Sequence, residues 1–417
     1  MQNFIDASII MPYQILELEV SEPLPTLTTG PNDTGLALIL RYHDHPVGFL
    51  MKAFPPQTTL SAEEISNWLG HDTIQKILQD KVYAQINPVS TISFPSLTIA
   101  ICTKDRTENL QRCLGSLLPL QQQSSSQLDI LVVDNAPSDQ QTYKLVSDLP
   151  TVRYVCEPKP GLDFARNHAL QSSTTELLAF LDDDVTVDRL WLEGLTAAFC
   201  ENPDAGGMTG LVLPYELNTN AQILFEERGG FQRGFEKIRY GQQLAGNVLY
   251  PCGAGIFGAG CNMAFRRSLL LELGGFDNAL DTGGPMPGGG DLDIFYRVVR
   301  AGHPLIYEPS YLVFHQHRPD LAKLRRQYWS WGLGFMAFVV KSYLHDREMR
   351  SRFIQLVGWW CKYQLTLLGR SILRTHTLPI DMVLAEIWGG IMGLLGGYGR
   401  SQRRIQSIQN HFDTHPI

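Results

Sequence analysis

The hydrophobic pattern of this chain changes character twice. In the first 95 residues, Gly35–Tyr42 and Val47–Phe54 are apolar-rich runs separated by His43-Asp44-His45-Pro46, which predicts a hairpin. Ser61 and Glu64 have the spacing of a capping box and predict a short helix after Ser61. The two turn histidines read as solvated turn residues. From residue 96 the pattern alternates. Leu97–Thr103, Leu128–Asp134, Val152–Val155 and Leu177–Leu181 are apolar strands. Between and after them lie helical patterns: one with Leu110, Leu114 and Leu117 on a single face, then others near 139–148, 161–172 and Val187–Cys200. Alternating strand and helix predicts an α/β unit with a mostly parallel central sheet and flanking helices. After Arg318 the chain becomes long apolar helical runs, so three parts are expected: a small β-rich module at 1–95, the α/β unit at 96–318 and a helical, basic extension at 319–417.

Ligands of such sheets bind outside the carboxyl ends of the strands. Here those ends are polar: Thr103-Lys104-Asp105-Arg106, Asp134-Asn135 and Asp182-Asp183-Asp184 should converge on one edge. No G-x-G-x-x-G or G-x-x-x-x-G-K-[ST] is present, which leaves dinucleotide and P-loop readings without support. Three consecutive carboxylates after an apolar strand repel one another, and a hard divalent cation, Mg²⁺ or Mn²⁺, relieves that repulsion. A solvated turn that caps the next helix is the plainer reading.

Four further segments carry candidate chemistry. Gly288-Gly289-Gly290-Asp291-Leu292-Asp293 is a flexible loop running into a helix that ends near Gly302. Asp291 is placed at the cap, as a general base or simply as the capping residue, and Asp293 pairs with Arg297 at i,i+4. In His315-Gln316-His317 the alternate residues of a strand face one side, so both imidazoles can enter one site, and His315 can complete a metal shell. Gly161-Leu162-Asp163-Phe164-Ala165-Arg166 opens a helix whose N–H groups, with Arg166, suit an anion. Arg266 is either a phosphate clamp or an edge-strand charge.

Charge sharpens the picture. The chain of 417 residues has 34 Lys+Arg and 42 Asp+Glu, a net charge of −8. From Arg318 onward there are 14 basic and 6 acidic residues, so the first 317 carry −16 and the tail +8. An acidic body argues against a nucleic-acid partner. Seven scattered cysteines without C-x-x-C disfavour a disulfide framework or a zinc site and suit a reducing compartment. The N-terminus lacks a basic region followed by a long apolar core, so no signal peptide is read and a cytoplasmic location is expected.

The order of seven motifs, TIAICTKDR, ILVVDNAPSD, GLDFARN, FLDDDV, GAGCNMAFRR followed by GGFD, GGGDLDIFYRVVRAG and VFHQHR, resembles family 2 glycosyltransferases of the GT-A type over residues 96–318. The resemblance implies a GT-A, Rossmann-like sheet, a nucleotide-diphosphate sugar donor and a divalent cation. It implies nucleobase and ribose contacts for Thr103, Asp105, Asp134 and Asn135, and nucleotide contacts for Arg166, Asp182 and Asp183. It implies metal contacts for Asp182, Asp184 and His315, and the role of base for Asp291 in an inverting displacement. Where many members read Glu-Asp, this chain has Gly290-Asp291. The rival readings are a metal-dependent nucleotidyltransferase and a non-catalytic, membrane-associated sugar-binding protein.

In the tail, Tyr328–Val340, Leu356–Leu368 and Met382–Tyr398 are apolar, the second with Trp359 and Trp360, the third interrupted by Glu386. None is a clean run of 18 or more, so helices lying in the membrane interface, bordered by Arg and Lys, are expected ahead of a spanning helix. The alternative is a bundle packed on the catalytic unit. Residues 215–250, with Phe225, Glu226, Glu227, Phe231, Phe235 and Tyr240, are expected to form a loop region over the site, next to a glycan or lipid-linked acceptor.

Overall fold

A computed structural model of the chain describes residues 12–70, 73, 75, 77, 95–123, 128–244, 246–280, 286–373, 375 and 378–414. The reading of residues 1–11 and the junction at 78–94 lie outside the described residues.

The N-terminal strands are β1 (Tyr13–Glu19), β2 (Leu27–Thr28), β3 (Gly35–Tyr42), β4 (His45–Ala53) and β5 (Thr59–Leu60), followed by α1 (Ala62–Trp68). β3 and β4 form the antiparallel hairpin, but its turn is shorter than the four residues expected. His43 and Asp44 have φ of 48° and 68°, so two left-handed residues close the turn and His45 already belongs to β4. Ser61 and Glu64 form the capping box of α1. This sheet meets the rest of the chain through Arg41, which is buried and paired with Glu17 and Asp188.

The central sheet runs in the order β10-β14-β11-β13-β9-β6-β7-β8, with β12 added to β14. Its strands are β6 (Leu97–Thr103), β7 (Leu128–Asn135), β8 (Val152–Glu157), β9 (Leu177–Asp182), β10 (Val185–Val187), β11 (Gly207–Pro214), β12 (Ile238–Tyr240), β13 (Asn262–Arg266) and β14 (Leu305–His315). β6 to β9 pair in parallel, whereas β13 and the short β10 and β12 are antiparallel to their neighbours. Its helices are α2 (Thr107–Gln123), α3 (Gln141–Ser147), α4 (Leu162–Ser172), α5 (Trp191–Glu201), α6 (Asn220–Glu227), α7 (Arg267–Glu272) and α8 (Gly290–Arg300).

Strand residues alternate between two apolar layers, as a period of two requires. Ile99, Ile101, Ile130 and Val132 pack against Leu110, Leu114 and Leu117 of α2 and Trp191 of α5. Ala100, Leu131, Val133 and Phe180 pack against Ala165 and Ala169 of α4 and Phe295 of α8. Two segments differ from the sequence pattern. Val185–Val187 is strand, because it pairs with Val313–His315, so the following helix starts only at Trp191. Within 215–250, α6 and β12 are regular, with a Thr219–Gln222 capping box starting α6.

The chain closes with α9 (Leu321–His345), α10 (Arg350–Ile372), α11 (Ile380–Met392), a π-type turn (Gly393–Gly397) and α12 (Tyr398–Thr414). α9 and α11 approach so closely that a Cβ on Gly332 would overlap the Glu386 carbonyl and one on Gly389 the Trp329 carbonyl. Gly332 of the first apolar run and Gly389 of the third therefore serve helix packing. Among the described residues one stretch, Ile380–Thr414, is long and apolar enough to cross a membrane by length and composition. Leu395 and Gly396 break it with non-helical backbone angles.

Candidate active site

Parallel register sets the site. Thr103 of β6 lies beside Asp134 of β7, and Cys102 beside Asp182 of β9, so the polar strand ends meet at one edge of the sheet. On the other side, β10 runs antiparallel to β14 and brings Val185 opposite His315, which places the histidine against the three aspartates.

A cavity of about 1010 Å³ opens there. Arg166, Asp182, Asp291, His315 and Arg318 line it, together with Trp331, Phe335, Trp359, Trp360 and Tyr363 of α9 and α10. Asp183 and Asp184 are buried just behind Asp182. Thr103 Oγ1 donates to Asp183 Oδ2 at 2.7 Å. Arg106 bridges the pair, its guanidinium 2.6 Å from Asp183 Oδ1 and 2.9 Å from Asp184 Oδ2. The sequence grouped Arg106 with the strand-end cluster but gave it no role of its own; its place at the end of β6 is what brings it to these carboxylates.

The three carboxylates sit in different fields. Burial, followed by repulsion from Asp184, pushes Asp182 up to about 6. Burial pushes Asp183 up to about 7, against the pull of Arg106 and Thr103. Burial would raise Asp184 as well, but His315, Arg106 and Arg318 outweigh it and hold it at about 2. Burial also drives the His315 imidazole down to about 3, with the Asp184 carboxylate opposing in part.

These residues can be tested against a divalent cation. Among the described residues no three His, Cys, Asp or Glu side chains gather closely enough to hold a metal by themselves. Asp184 Oδ1, however, accepts no hydrogen bond and lies 3.4 Å from His315 Nε2. Two hard or borderline donors with an open remainder fit a cation that takes its other ligands from water and a substrate diphosphate.

Asp291 lies in the first turn of α8 and accepts the Gly260 N–H through Oδ2 at 3.2 Å. It does not cap the helix: Gly289, with φ of 102°, holds the N-cap position, and no side chain caps it. Gly290 has no room for a larger residue, since a Cβ there would overlap Asp163 Oδ2 and stand 2.9 Å from the Leu280 carbonyl oxygen. Asp293 is buried away from the cavity, with Arg297 at 2.8 Å and Lys341 as its second partner.

Arg166 is buried, 3.1 Å from Asp163 and 3.9 Å from Asp182, with its guanidinium over the Phe276 ring. The other strand-end residues do not line the cavity. Asp105 is exposed and accepts the Ser138 N–H at 2.8 Å. Asp134 is buried, accepts the Tyr154 hydroxyl at 2.9 Å, and is raised by that burial. Asn135 donates to the carbonyls of Glu157 and Lys159 and accepts the Gly161 N–H, so it ties β7 to the start of α4. Arg266 pairs with Glu176 at 2.6 Å and donates to the carbonyls of Pro203 and Ala205, so it is held at the end of β13, an interior strand rather than the edge strand expected, and lies outside the cavity lining.

Residues 98–274 match the family model "Glycosyl transferase family 2". The pre-mycofactocin glycosyltransferase of Mycobacterium tuberculosis is 28% identical over 249 residues, 60% of this chain and 48% of that protein. The glucosyl-dolichyl phosphate glucuronosyltransferase of Haloferax volcanii is 25% identical over 184 residues, 43% of this chain and 56% of that protein. The chain thus spans about half the length of these curated relatives. A solved mannosyltransferase of Pyrobaculum calidifontis, in complex with GDP-Man and Mn²⁺, aligns with a TM-score of 0.46 and 14% identity over 79% of this chain and 97% of that one. Over residues 98–274, this chain is thus similar to glycosyl transferase family 2.

Proposed function

We infer that the protein transfers a sugar from a nucleotide-diphosphate sugar to an acceptor hydroxyl with inversion at the anomeric carbon. The observation that carries this is the shared cavity: Asp291 faces the same space as Asp182, His315 and the cations Arg166 and Arg318. Asp291 takes the proton of the acceptor hydroxyl as its oxygen attacks the anomeric carbon, and the bond to the diphosphate breaks. One carboxylate suffices, since a diphosphate leaves without a general acid. Arg166 and Arg318 oppose the charge that develops on it. Asp182, Asp184 and His315 would hold a divalent cation, Mg²⁺ or Mn²⁺, whose charge would offset that of the diphosphate. Thr103, Asp134 and Asn135 shape the nucleotide end of the strand edge, and Asp105 rims it.

The acceptor is read as a glycan or a lipid-linked glycan. The aromatic side chains lining the cavity support this, because indole and phenol faces stack on sugars and cover apolar chains. The Haloferax relative is named for a dolichyl-linked substrate. Outside the cavity, Leu365 of α10 (66%), Trp388 of α11 (58%) and Leu395 of the π-type turn (71%) are exposed. Such a patch fits a peripheral membrane contact at the cytoplasmic face. The reading also takes the chain as a small module to residue 95, a transferase unit to 318 and a helical extension that helps to line the cavity.

The test is a panel of nucleotide sugars with Mn²⁺, read as released nucleoside diphosphate. Release that requires an acceptor and stops in EDTA is expected. Release of pyrophosphate instead would assign the protein to nucleotidyl transfer.

A further inference from the structure

Behind His315 lies a chain of contacts that the transfer chemistry does not use. His317 Nε2 is 2.6 Å from Glu226 Oε1, and the Nδ1 atoms of His317 and His315 are 3.0 Å apart. All three side chains are buried. Phe225 packs edge-on to His317 and Phe231 edge-on to His315, with ring centroids 4.7 and 5.1 Å apart, so neither imidazole can turn freely. Gln232 Nε2 donates to Glu226 Oε2 at 2.9 Å. A Cβ on Gly230 would overlap that carboxylate, so the turn after α6 is shaped around it.

Hydrogen-bond logic then assigns the protons. A carboxylate only accepts, so His317 Nε2 carries a hydrogen. Of the two facing Nδ1 atoms one donates, and because Asp184 Oδ1 receives no hydrogen bond from His315 Nε2, the hydrogen of His315 lies on Nδ1 and His317 Nδ1 accepts it. His315 Nε2 is then a bare lone pair. That lone pair faces Asp184 Oδ1, itself without a hydrogen bond, at 3.4 Å. Two electron-rich atoms at that separation repel unless a cation sits against both.

We propose that Glu226 and His317 are positioning residues that hold His315 as its Nδ1–H tautomer, so that His315 Nε2 and Asp184 Oδ1 together present two donors to a divalent cation. This rests on the metal reading of Asp184 and His315 given above. Partners of this kind behind a metal-bound histidine are worth roughly 10–100-fold in metal affinity.

The experiment titrates the full chain with Mn²⁺ alone and follows the free ion by EPR, with thermal melts as a check on folding. Asp184→Ala should abolish binding. His317→Phe keeps a ring between Phe225 and Phe231 but removes the acceptor, and should weaken binding about 10–100-fold. His317→Asn, whose Oδ1 can stand where Nδ1 stood, should recover much of the loss. If Asp184→Ala loses Mn²⁺ while His317→Phe binds as wild type, the relay is wrong and the metal seat stands. If Asp184→Ala binds as wild type, the metal seat itself falls, and the relay with it. Imidazole ¹⁵N NMR of the unaltered protein supplies a readout free of any folding defect: His315 protonated on Nδ1 supports the relay, and protonation on Nε2 overturns it.

Discussion

Gly290 lies directly against the carboxylate of Asp163, so closely that any Cβ at position 290 would overlap Asp163 Oδ2. Asp163 is itself fully buried and paired with Arg166 at 3.1 Å, so it cannot simply swing away. The expected result for Gly290→Ala is a loss of about 1–3 kcal/mol in stability, the usual range for overpacking. Urea unfolding measures it. An unchanged midpoint would mean that α4 and α8 separate more easily than their packing suggests.

Asp291→Asn keeps an oxygen that can accept the Gly260 N–H but removes the base. Turnover should fall by about 10²–10⁴-fold, the span of general-base contributions, with a Tm close to that of the unaltered protein. Nucleoside diphosphate release under saturating donor is the assay. Retained turnover would take the base role from Asp291.

Asp346, at the end of α9, accepts from Tyr296 and Arg300 of α8, each at 2.8 Å. Burial would raise its pKa, but Arg300 and Tyr296 outweigh that and leave it below the ordinary 3.8. For a carboxylate lowered on folding, the stabilisation is present above the unfolded value and is lost as pH falls through the folded one. Arg300 is 37% exposed at its side chain, so the effect is screened. Asp346→Asn should cost about 1 kcal/mol at neutral pH. The difference from the unaltered protein should close at pH values below the lowered folded pKa. Unfolding curves at neutral and strongly acidic pH test both halves.

The exposed side chains of α11 predict binding to anionic vesicles. Leu384 and Trp388 are 49% and 58% exposed, so Leu384→Glu with Trp388→Glu should leave the fold intact. Flotation with phosphatidylglycerol vesicles should drop several-fold, since buried apolar area and attraction to anionic headgroups both decrease. Equal flotation of both proteins would move the membrane contact elsewhere.

Much of this was legible along the chain because local rules carry it. The strands β6 to β9 follow from continuous apolar runs, α2 from Leu110, Leu114 and Leu117, and α1 from a capping box written in two residues. The strand-end rule likewise located Thr103, Asp182 and Asp184 without any partner being visible. The helix read from Val187 begins too early, because Val187 belongs to a strand whose character comes from pairing with β14, more than 120 residues away, which leaves no local pattern. Asp291 was placed at the cap because side-chain caps are the common case, whereas here the left-handed Gly289 holds that position.

By itself the sequence determined which residues carry charge, which runs bury, and that acidic strand ends precede a basic, apolar tail. Those depend on side-chain chemistry and on periods of two and 3.6 residues. Only the tertiary structure decided which charges meet. Arg106 joins Asp183 to Asp184, Glu386 of the apolar tail finds Arg228 at 3.3 Å, and His317 turns from a second cavity residue into the support behind His315. Each of those pairings is set by distances of a few ångströms between distant segments, and the field at a buried group depends on such distances more than on its neighbours in the chain.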